Sequence, residues 1–181
     1  DNMELTDGIS ESLMRTVMKN AKILKDEPDN YDARAEVMWA GSLSHNGLTG
    51  CGTDGGDWAT HKMEHEVGGL FDVAHGAGLA ALWGSWARFV LDARPARFAQ
   101  FVLSVTAGAD DTETALKGIK AMEDFYHSID MPVSLSELGV TPTPEQIRTM
   151  AEKCDISTHH NAGTVKHLSV EDMVASYTTA L

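Results

Sequence analysis

Three of the eight histidines lie in one short segment, at positions 61, 65 and 75. His61 and His65 are spaced i and i+4, so on a helix both imidazoles lie on one face and can reach one metal ion or one substrate. His75 follows shortly afterwards and precedes Gly76-Ala77-Gly78, where a chain can turn sharply into a new helix. The spacing allows a shared centre for all three rings. It is also compatible with histidines that only cap or cover an exposed helix face.

The same segment reads as His61-x-x-Glu64-His65, which matches the inverted pattern of a class of zinc peptidases. In that interpretation Glu64 is the general base and the two histidines bind zinc, with Glu137 as a candidate third ligand. The pattern is short and arises by chance in histidine-rich helices. It is an alternative interpretation of these residues.

The other histidines are weaker candidates for chemistry. His45 is predicted near a helix C-terminus, where the helix dipole favours a positive imidazole, so a structural role is expected. His159, His160 and His167 lie in or beside a polar stretch near the end of the chain and are expected to be solvated.

The elements that must position these side chains are helices, because the hydrophobic periodicity is helical almost throughout. An all-α fold of eight or nine helices is predicted. The first predicted helix contains residues 9–24, the second starts at Asn30 or Asp32 and ends near Gly47, and the third runs from Asp57 to about Val67. The next three cover residues 76–91, start at Pro95, and cover residues 112–129. Three short helices follow, which start at the capping signatures of Ser134, Thr143 and Ser169.

Two further predictions concern helix faces and helix ends. Four Met and Trp residues at helical spacing are predicted to belong to the core: Met38 and Trp39 in the second helix and Trp83 and Trp86 in the fourth. In the third helix Gly68-Gly69 is predicted to weaken the C-terminal end.

Composition excludes several classes of protein. The 181 residues are 43% hydrophobic, enough for one domain with a substantial core, and carry a formal net charge of −13. This charge argues against binding nucleic acid or an anionic membrane surface, which both need basic patches. No apolar run approaches the length of a membrane span, and a cytoplasmic protein is expected. Cys51 and Cys154 are far apart and form no thiolate zinc motif.

Two longer motifs contain the histidines. They are Gly56-Asp-Trp-Ala-Thr-His61-Lys-Met-Glu-His-Glu66 and Phe71-Asp-Val-Ala-His75-Gly-Ala-Gly-Leu-Ala80. With residues 31–35, 38–40 and 151–154 they resemble the iron-containing alcohol dehydrogenases, in particular the butanol dehydrogenase-like branch. The resemblance covers nearly the whole chain.

This resemblance implies a fold and a set of site residues. The family has an N-terminal α/β nucleotide-binding domain and a C-terminal helical domain that holds the metal, in the iron-containing alcohol dehydrogenase and dehydroquinate synthase-like fold. Residues 1–181 resemble only the helical domain. His61 and His75 match two ligands of a divalent metal, Fe(II) or Zn(II), and His65 matches a catalytic histidine beside the nicotinamide and the substrate. The family's other two ligands, in a D-x-x-x-H-x-x-E helix, have no counterpart in these residues.

The resemblance also implies a function. The whole protein is expected to transfer hydride between a small alcohol and an aldehyde or ketone with NAD(P)(H), NADP(H) being favoured. This chain, as a fragment without the nucleotide-binding domain, is expected to be inactive and to expose a cleft beside His61, over which it forms a homodimer. A helical scaffold or interaction module without catalysis is the alternative from another class.

Overall fold

The computed structural model describes residues 3–53, 55–106 and 112–181. These described residues form eight α-helices and two 3₁₀ turns. Their only β-structure is one isolated bridge between Ala162 and Leu168. The all-α prediction is confirmed. Within the described ranges no helix is both long and apolar enough to cross a bilayer. The helices are α1 (Glu4–Asp26), α2 (Tyr31–His45), α3 (Ala59–Phe71), α4 (His75–Val90), α5 (Pro95–Thr106), α6 (Thr112–Ser128), α7 (Pro144–Ser157) and α8 (Val170–Thr179).

Local capping signals place several of the helix starts. The side chain of Asn30 accepts a hydrogen bond from the first turn of α2, as predicted. Thr143 and Ser169 form reciprocal capping boxes with Gln146 and Asp172, at the starts of α7 and α8. Each box satisfies backbone N–H groups that have no partner within the helix.

The predicted helix at Ser134 is wrong, because residues 134–139 form turns. The Ser134 hydroxyl accepts from the N–H of Glu137 at 3.1 Å, which is half of a capping box. The Glu137 carboxylate does not return to Ser134. It accepts from the N–H of Val133 at 2.9 Å and bonds to His127 at 2.8 Å.

The main apolar core lies between α3, α4, α7 and α8. Met63 and Met150 are fully buried there, beside the aromatic ring of Tyr177. The Tyr177 hydroxyl donates a hydrogen bond to the carbonyl of Met63 at 2.7 Å. Burial raises the pKa of Tyr177, so its hydroxyl stays protonated as a donor. Helix α3, which contains His61 and His65, therefore packs against the C-terminal helices α7 and α8.

Helices α1 and α2 form a hairpin whose buried side differs from the prediction. Helix α2 buries the small residues Ala33 and Ala40, while Tyr31, Met38 and Trp39 are 80%, 69% and 63% exposed. The prediction that Met38 and Trp39 belong to the core is wrong, whereas Trp83 and Trp86 are half-buried. Both faces of α2 carry apolar residues, and the contact with α1 selects the face with small side chains.

Candidate metal centre

Helix α3 presents His61 and His65 on the same face, one helical turn apart, as the sequence predicts. Their ring centroids are 4.6 Å apart. The start of α3 is fixed by Asp57, whose Oδ1 accepts from the N–H of Ala59 at 2.9 Å. The other Asp57 oxygen accepts from two N–H groups of the 164–165 segment, at 2.8 Å each. One carboxylate thus ties the histidine helix to the loop between α7 and α8.

A tight turn brings His75 to the same point. Helix α3 ends at Phe71, and Asp72 takes a left-handed conformation with φ of 53°. The chain then enters α4 with His75 as its first residue. The His75 ring lies 4.7 Å from that of His61 and 5.6 Å from that of His65, centroid to centroid.

The three histidines together form a cluster of possible metal donors. Each ring offers one nitrogen, and these three nitrogens all lie within 4.8 Å of one another. His61 is half-buried, whereas His65 and His75 are exposed, so the cluster is open to solvent on one side. The expectation that His61 and His75 approach a common point, with His65 beside them, is confirmed for their positions in the fold.

His61 is the histidine most affected by its surroundings. Its pKa is lowered, first by burial and then by the nearby rings of His65 and His75 and the ammonium of Lys62. The indole of Trp58 packs against it edge to face, with centroids 5.1 Å apart. A lowered pKa keeps this imidazole neutral, with one nitrogen lone pair available to a metal ion.

Glu64 points away from this open side. Its side chain is only 2% exposed and its Oε2 is bonded to Nδ1 of His75. Helix α3 continues through Gly68-Gly69 rather than weakening there, so the prediction that it ends near Val67 is wrong. Gly68 is placed where a Cβ would lie 3.1 Å from the Glu64 Oε1, so space for the carboxylate explains a glycine inside the helix.

The zinc-peptidase interpretation does not fit this geometry. A general base must contact the attacking water, and Glu64 is buried against His75. Glu137 is bonded to His127 and to the N–H of Val133, the interaction that contributes most to lowering its pKa. It is not among the donors that converge with His61. The general-base role that the H-x-x-E-H pattern predicts for Glu64 does not fit its buried position against His75.

A cleft of about 970 Å³ opens beside His61. Its lining is mostly apolar and comes from several helices, including Leu13 of α1, Val37 of α2, Trp83 of α4 and Tyr126 of α6. This confirms the expectation of a cleft beside His61. The α1–α2 hairpin therefore lines the cleft together with α4 and α6.

The remaining histidines take no part in the cluster. His45 bonds through Nδ1 to the carbonyl of Gly41 at 3.2 Å near the end of α2, which agrees with a structural role. His159, His160 and His167 are exposed, as expected.

Comparison with known proteins decides the family. A model of the Fe-containing alcohol dehydrogenase family, C-terminal part, matches residues 1–181. The chain belongs to the Fe-containing alcohol dehydrogenase family. This membership agrees with the fold and with the resemblance of the two histidine motifs.

Relatives within the family include two butanol dehydrogenases. The chain is 35% identical over 178 residues to probable NADH-dependent butanol dehydrogenase 1 of Bacillus subtilis, covering 96% of this chain and 45% of the relative. It is 33% identical over 172 residues to NADH-dependent butanol dehydrogenase A of Clostridium acetobutylicum, covering 93% and 43%. The crystal structure of NADH-dependent butanol dehydrogenase A from Thermotoga maritima matches with a TM-score of 0.92 and 31% identity, over 98% of this chain and 46% of that one. The chain therefore spans a little under half the length of these Fe-containing alcohol dehydrogenases.

Proposed function

We propose that residues 1–181 are the metal-binding helical domain of an NAD(P)-dependent alcohol dehydrogenase that interconverts small alcohols and their aldehydes or ketones. The observation that carries the proposal is the convergence of three imidazoles, with donor nitrogens within 4.8 Å, in a chain of this family. The names of the relatives support a short aliphatic alcohol such as butanol as the substrate class. The α/β nucleotide-binding domain would lie in the remainder of the whole protein.

His61 and His75 would hold the divalent metal. Neutral imidazole suits both Fe(II) and Zn(II). The donor nitrogens of the three histidines lie within 4.8 Å of one another, so one ion could be held between them. Two histidines are fewer than the three protein ligands of a usual catalytic site, so further ligands would come from outside these residues.

His65 would act on the proton of the reaction. In alcohol oxidation a hydride leaves the carbinol carbon for C4 of the nicotinamide, and the hydroxyl proton must go to a base. His65 is exposed, lies next to His61 and passes such a proton to solvent. A bound divalent metal supplies Lewis-acid polarisation of the alcohol or carbonyl oxygen.

The proposal includes a nicotinamide cofactor and a cytoplasmic location. The names of both butanol dehydrogenase relatives specify NADH, while the branch resemblance favoured NADP(H). Assaying the whole protein with each cofactor separates the two. The net charge of −13 is consistent with a cytoplasmic enzyme that acts on small molecules.

We also propose that this chain forms a homodimer in solution. The apolar cleft beside His61 and the exposed Tyr31, Met38 and Trp39 are surfaces that favour self-association. Light scattering across a concentration series measures the oligomeric state. Trp39→Glu and Leu13→Glu test the two surfaces separately, and a strict monomer at high concentration would contradict this part of the proposal.

Metal binding is tested first on the untagged chain. Zn(II) titration by calorimetry and Co(II) titration by visible absorption should show one site that depends on His61 and His75. Alanine at either position should weaken binding roughly 100-fold, equivalent to about 2.8 kcal/mol. His45→Ala is the matched control and should bind as the parent does. Equal binding by all variants would refute the assignment of the ligands.

Activity is tested in two forms. The chain alone, with NADH or NADPH, butyraldehyde and added Fe(II) or Zn(II), should show no turnover above background. A fusion of the chain to the N-terminal part of the Bacillus subtilis relative should oxidise the cofactor, and His61→Ala should abolish that activity. Turnover by the chain alone at about 1 per second or faster would contradict its expected inactivity.

A further inference from the structure

Glu64 is an unusual residue to find in this position. Glutamate is almost never fully buried unless it is paired, and the Glu64 side chain is 2% exposed. Only one carboxylate oxygen is used, because Oε2 bonds to Nδ1 of His75. The other oxygen, Oε1, is buried without a hydrogen-bond partner among the described residues. Such an arrangement destabilises the fold, so packing alone does not account for this glutamate.

Glycines on α3, which carries Glu64, and on the neighbouring α4 leave room for the Glu64 carboxylate. A Cβ on Gly78 of α4 would lie 2.5 Å from Oε1 and 2.8 Å from Cγ of Glu64. A Cβ on Gly68 of α3 would lie 3.1 Å from the same Oε1. Glycine inside a helix also lowers stability. The carboxylate therefore occupies space that a side chain at Gly68 or Gly78 would take up, and in that space it reaches His75.

The hydrogen bond determines which nitrogen of His75 is free. An ionised Glu64 carboxylate can only accept, so this contact requires the His75 proton to lie on Nδ1. The lone pair then lies on Nε2. The exposed His75 ring, 49% accessible, would otherwise change tautomer and rotate freely. Its other neighbours in the cluster are the imidazoles of His61 and His65, whose ring centroids lie 4.7 and 5.6 Å away.

We propose that Glu64 is a positioning residue that holds His75 in the Nδ1–H tautomer and orients its Nε2 for metal binding. This inference rests on the proposed function. Outer partners of ligating histidines commonly act in this way, and their loss costs about 10- to 100-fold in metal affinity. Glu64 contacts neither metal nor substrate in this role and acts only through His75.

The first test needs no metal. Long-range ¹H–¹⁵N spectra of the metal-free chain report the tautomer of each histidine. His75 should be in the Nδ1–H form in the parent and in Glu64→Gln, which keeps an acceptor oxygen. In Glu64→Met, which keeps the length without the acceptor, His75 should become a mixture of tautomers. Glu66→Met, two residues away, is the matched control and should leave His75 unchanged.

The second test is Zn(II) affinity on the same proteins. Glu64→Met should lower it about 10- to 100-fold, Glu64→Gln should restore most of the loss, and Glu66→Met should have no effect. Unfolding midpoints measured alongside separate this effect from loss of folding. Where Glu64→Met does not fold, Glu64→Asp withdraws the carboxylate by one methylene and should show the same tautomer change.

The outcomes distinguish the two proposals. An unchanged His75 tautomer and unchanged affinity in Glu64→Met overturn the positioning role. A parent chain with the fixed tautomer but no specific Zn(II) site supports the role of Glu64 toward the His75 ring and overturns Zn(II) binding by residues 1–181 alone. A tautomer change together with the graded loss of affinity supports both.

Discussion

At the scale of single residues, the three histidines of the cluster have different surroundings. His61 is half-buried against Trp58 and has a lowered pKa, His75 is bonded to Glu64, and His65 is exposed. The two rings with fixed neighbours are those assigned as metal ligands. His65, which is exposed and has, among the described residues, no carboxylate partner like that of His75, is the ring assigned to proton transfer, which requires a group that can exchange its proton with solvent.

This difference predicts unequal effects of three alanine substitutions. His65→Ala should retain Zn(II) affinity within about tenfold of the parent, because His65 is not a ligand in the proposed site. His61→Ala and His75→Ala should lose roughly 100-fold. Isothermal titration of the three variants measures the ranking. An equally large loss in His65→Ala would make it a third ligand instead of a proton carrier.

A second residue-scale prediction concerns pH and the contact between α1 and α5. The pKa of Asp7 is lowered, mainly by its hydrogen bonds from Arg97, and Gln100 donates a further bond at 2.9 Å. A lowered folded-state pKa gives stability that is present above the unfolded value of about 4 and is lost as pH falls through the folded value. Asp7→Asn should therefore reduce the free energy of unfolding near pH 7 by about 1 kcal/mol or less.

The same measurement at lower pH provides the check. The difference between the parent and Asp7→Asn should shrink as the pH is lowered from 5 toward 3. A double-mutant cycle with Arg97→Gln isolates the pair, and its coupling energy should disappear over the same range. A difference that grows on acidification would have the wrong sign for this assignment.

At the scale of elements, helix starts are predicted well and helix faces are predicted poorly. The capping boxes of Thr143 and Ser169 involve residues three apart, so the sequence contains all of the information needed. The helix predicted at Ser134 does not form, because the Glu137 carboxylate bonds to His127, ten residues earlier, instead of completing the capping box. The exposure of Met38 and Trp39 depends on what packs against α2, and no periodicity within α2 determines that.

In the candidate site, too, local features are predicted from the sequence and features that depend on helix packing are not. The i and i+4 spacing of His61 and His65 was sufficient to place both rings on one face. The position of His75 followed from the resemblance and from the small residues after it, not from periodicity. The burial of Glu64 was not predictable, since it depends on the crossing of α3 and α4 at Gly78.

That crossing makes Gly78→Ala a sharp element-scale prediction. The new Cβ would lie 2.5 Å from the Glu64 carboxylate, so the variant should lose about 1–3 kcal/mol of stability through overpacking. Gly69→Ala, which meets nothing within 4 Å, should instead be neutral or gain up to about 1 kcal/mol. Chemical denaturation measures both.

A second substitution, Glu64→Ala, shows whether the collision with the glutamate causes the loss of stability in Gly78→Ala. In Glu64→Ala the colliding atoms are gone, so adding Gly78→Ala to that background should cost much less than it does in the parent. A cost that is the same in both backgrounds would show that Gly78 is required for the helix crossing itself and not for the glutamate.

At the scale of the whole molecule, the chain has two unequally packed parts. Helices α3, α4, α7 and α8 share one core of fully buried residues. In the hairpin of α1 and α2, the buried residues are only Asn20, Ala33 and Ala40, and all others are half-buried or exposed. The cleft of about 970 Å³ beside His61 lies between the hairpin and the remainder. The candidate ligands therefore belong to the well-packed part, whereas the cleft is lined partly by α1 and α2 of the weaker part.

This unequal packing has a consequence for the way the molecule opens. Amide hydrogen exchange measures the free energy of local and global opening, and regions with few buried contacts open in separate cooperative units. The amides of α1 and α2 should exchange through an opening of lower free energy than those of α3, α7 and α8, and an apolar dye should bind during that opening. A single exchange isotherm shared by all of these helices would contradict this. If two isotherms are found, one melting temperature will not describe the chain, because the hairpin will detach while the histidine cluster remains folded.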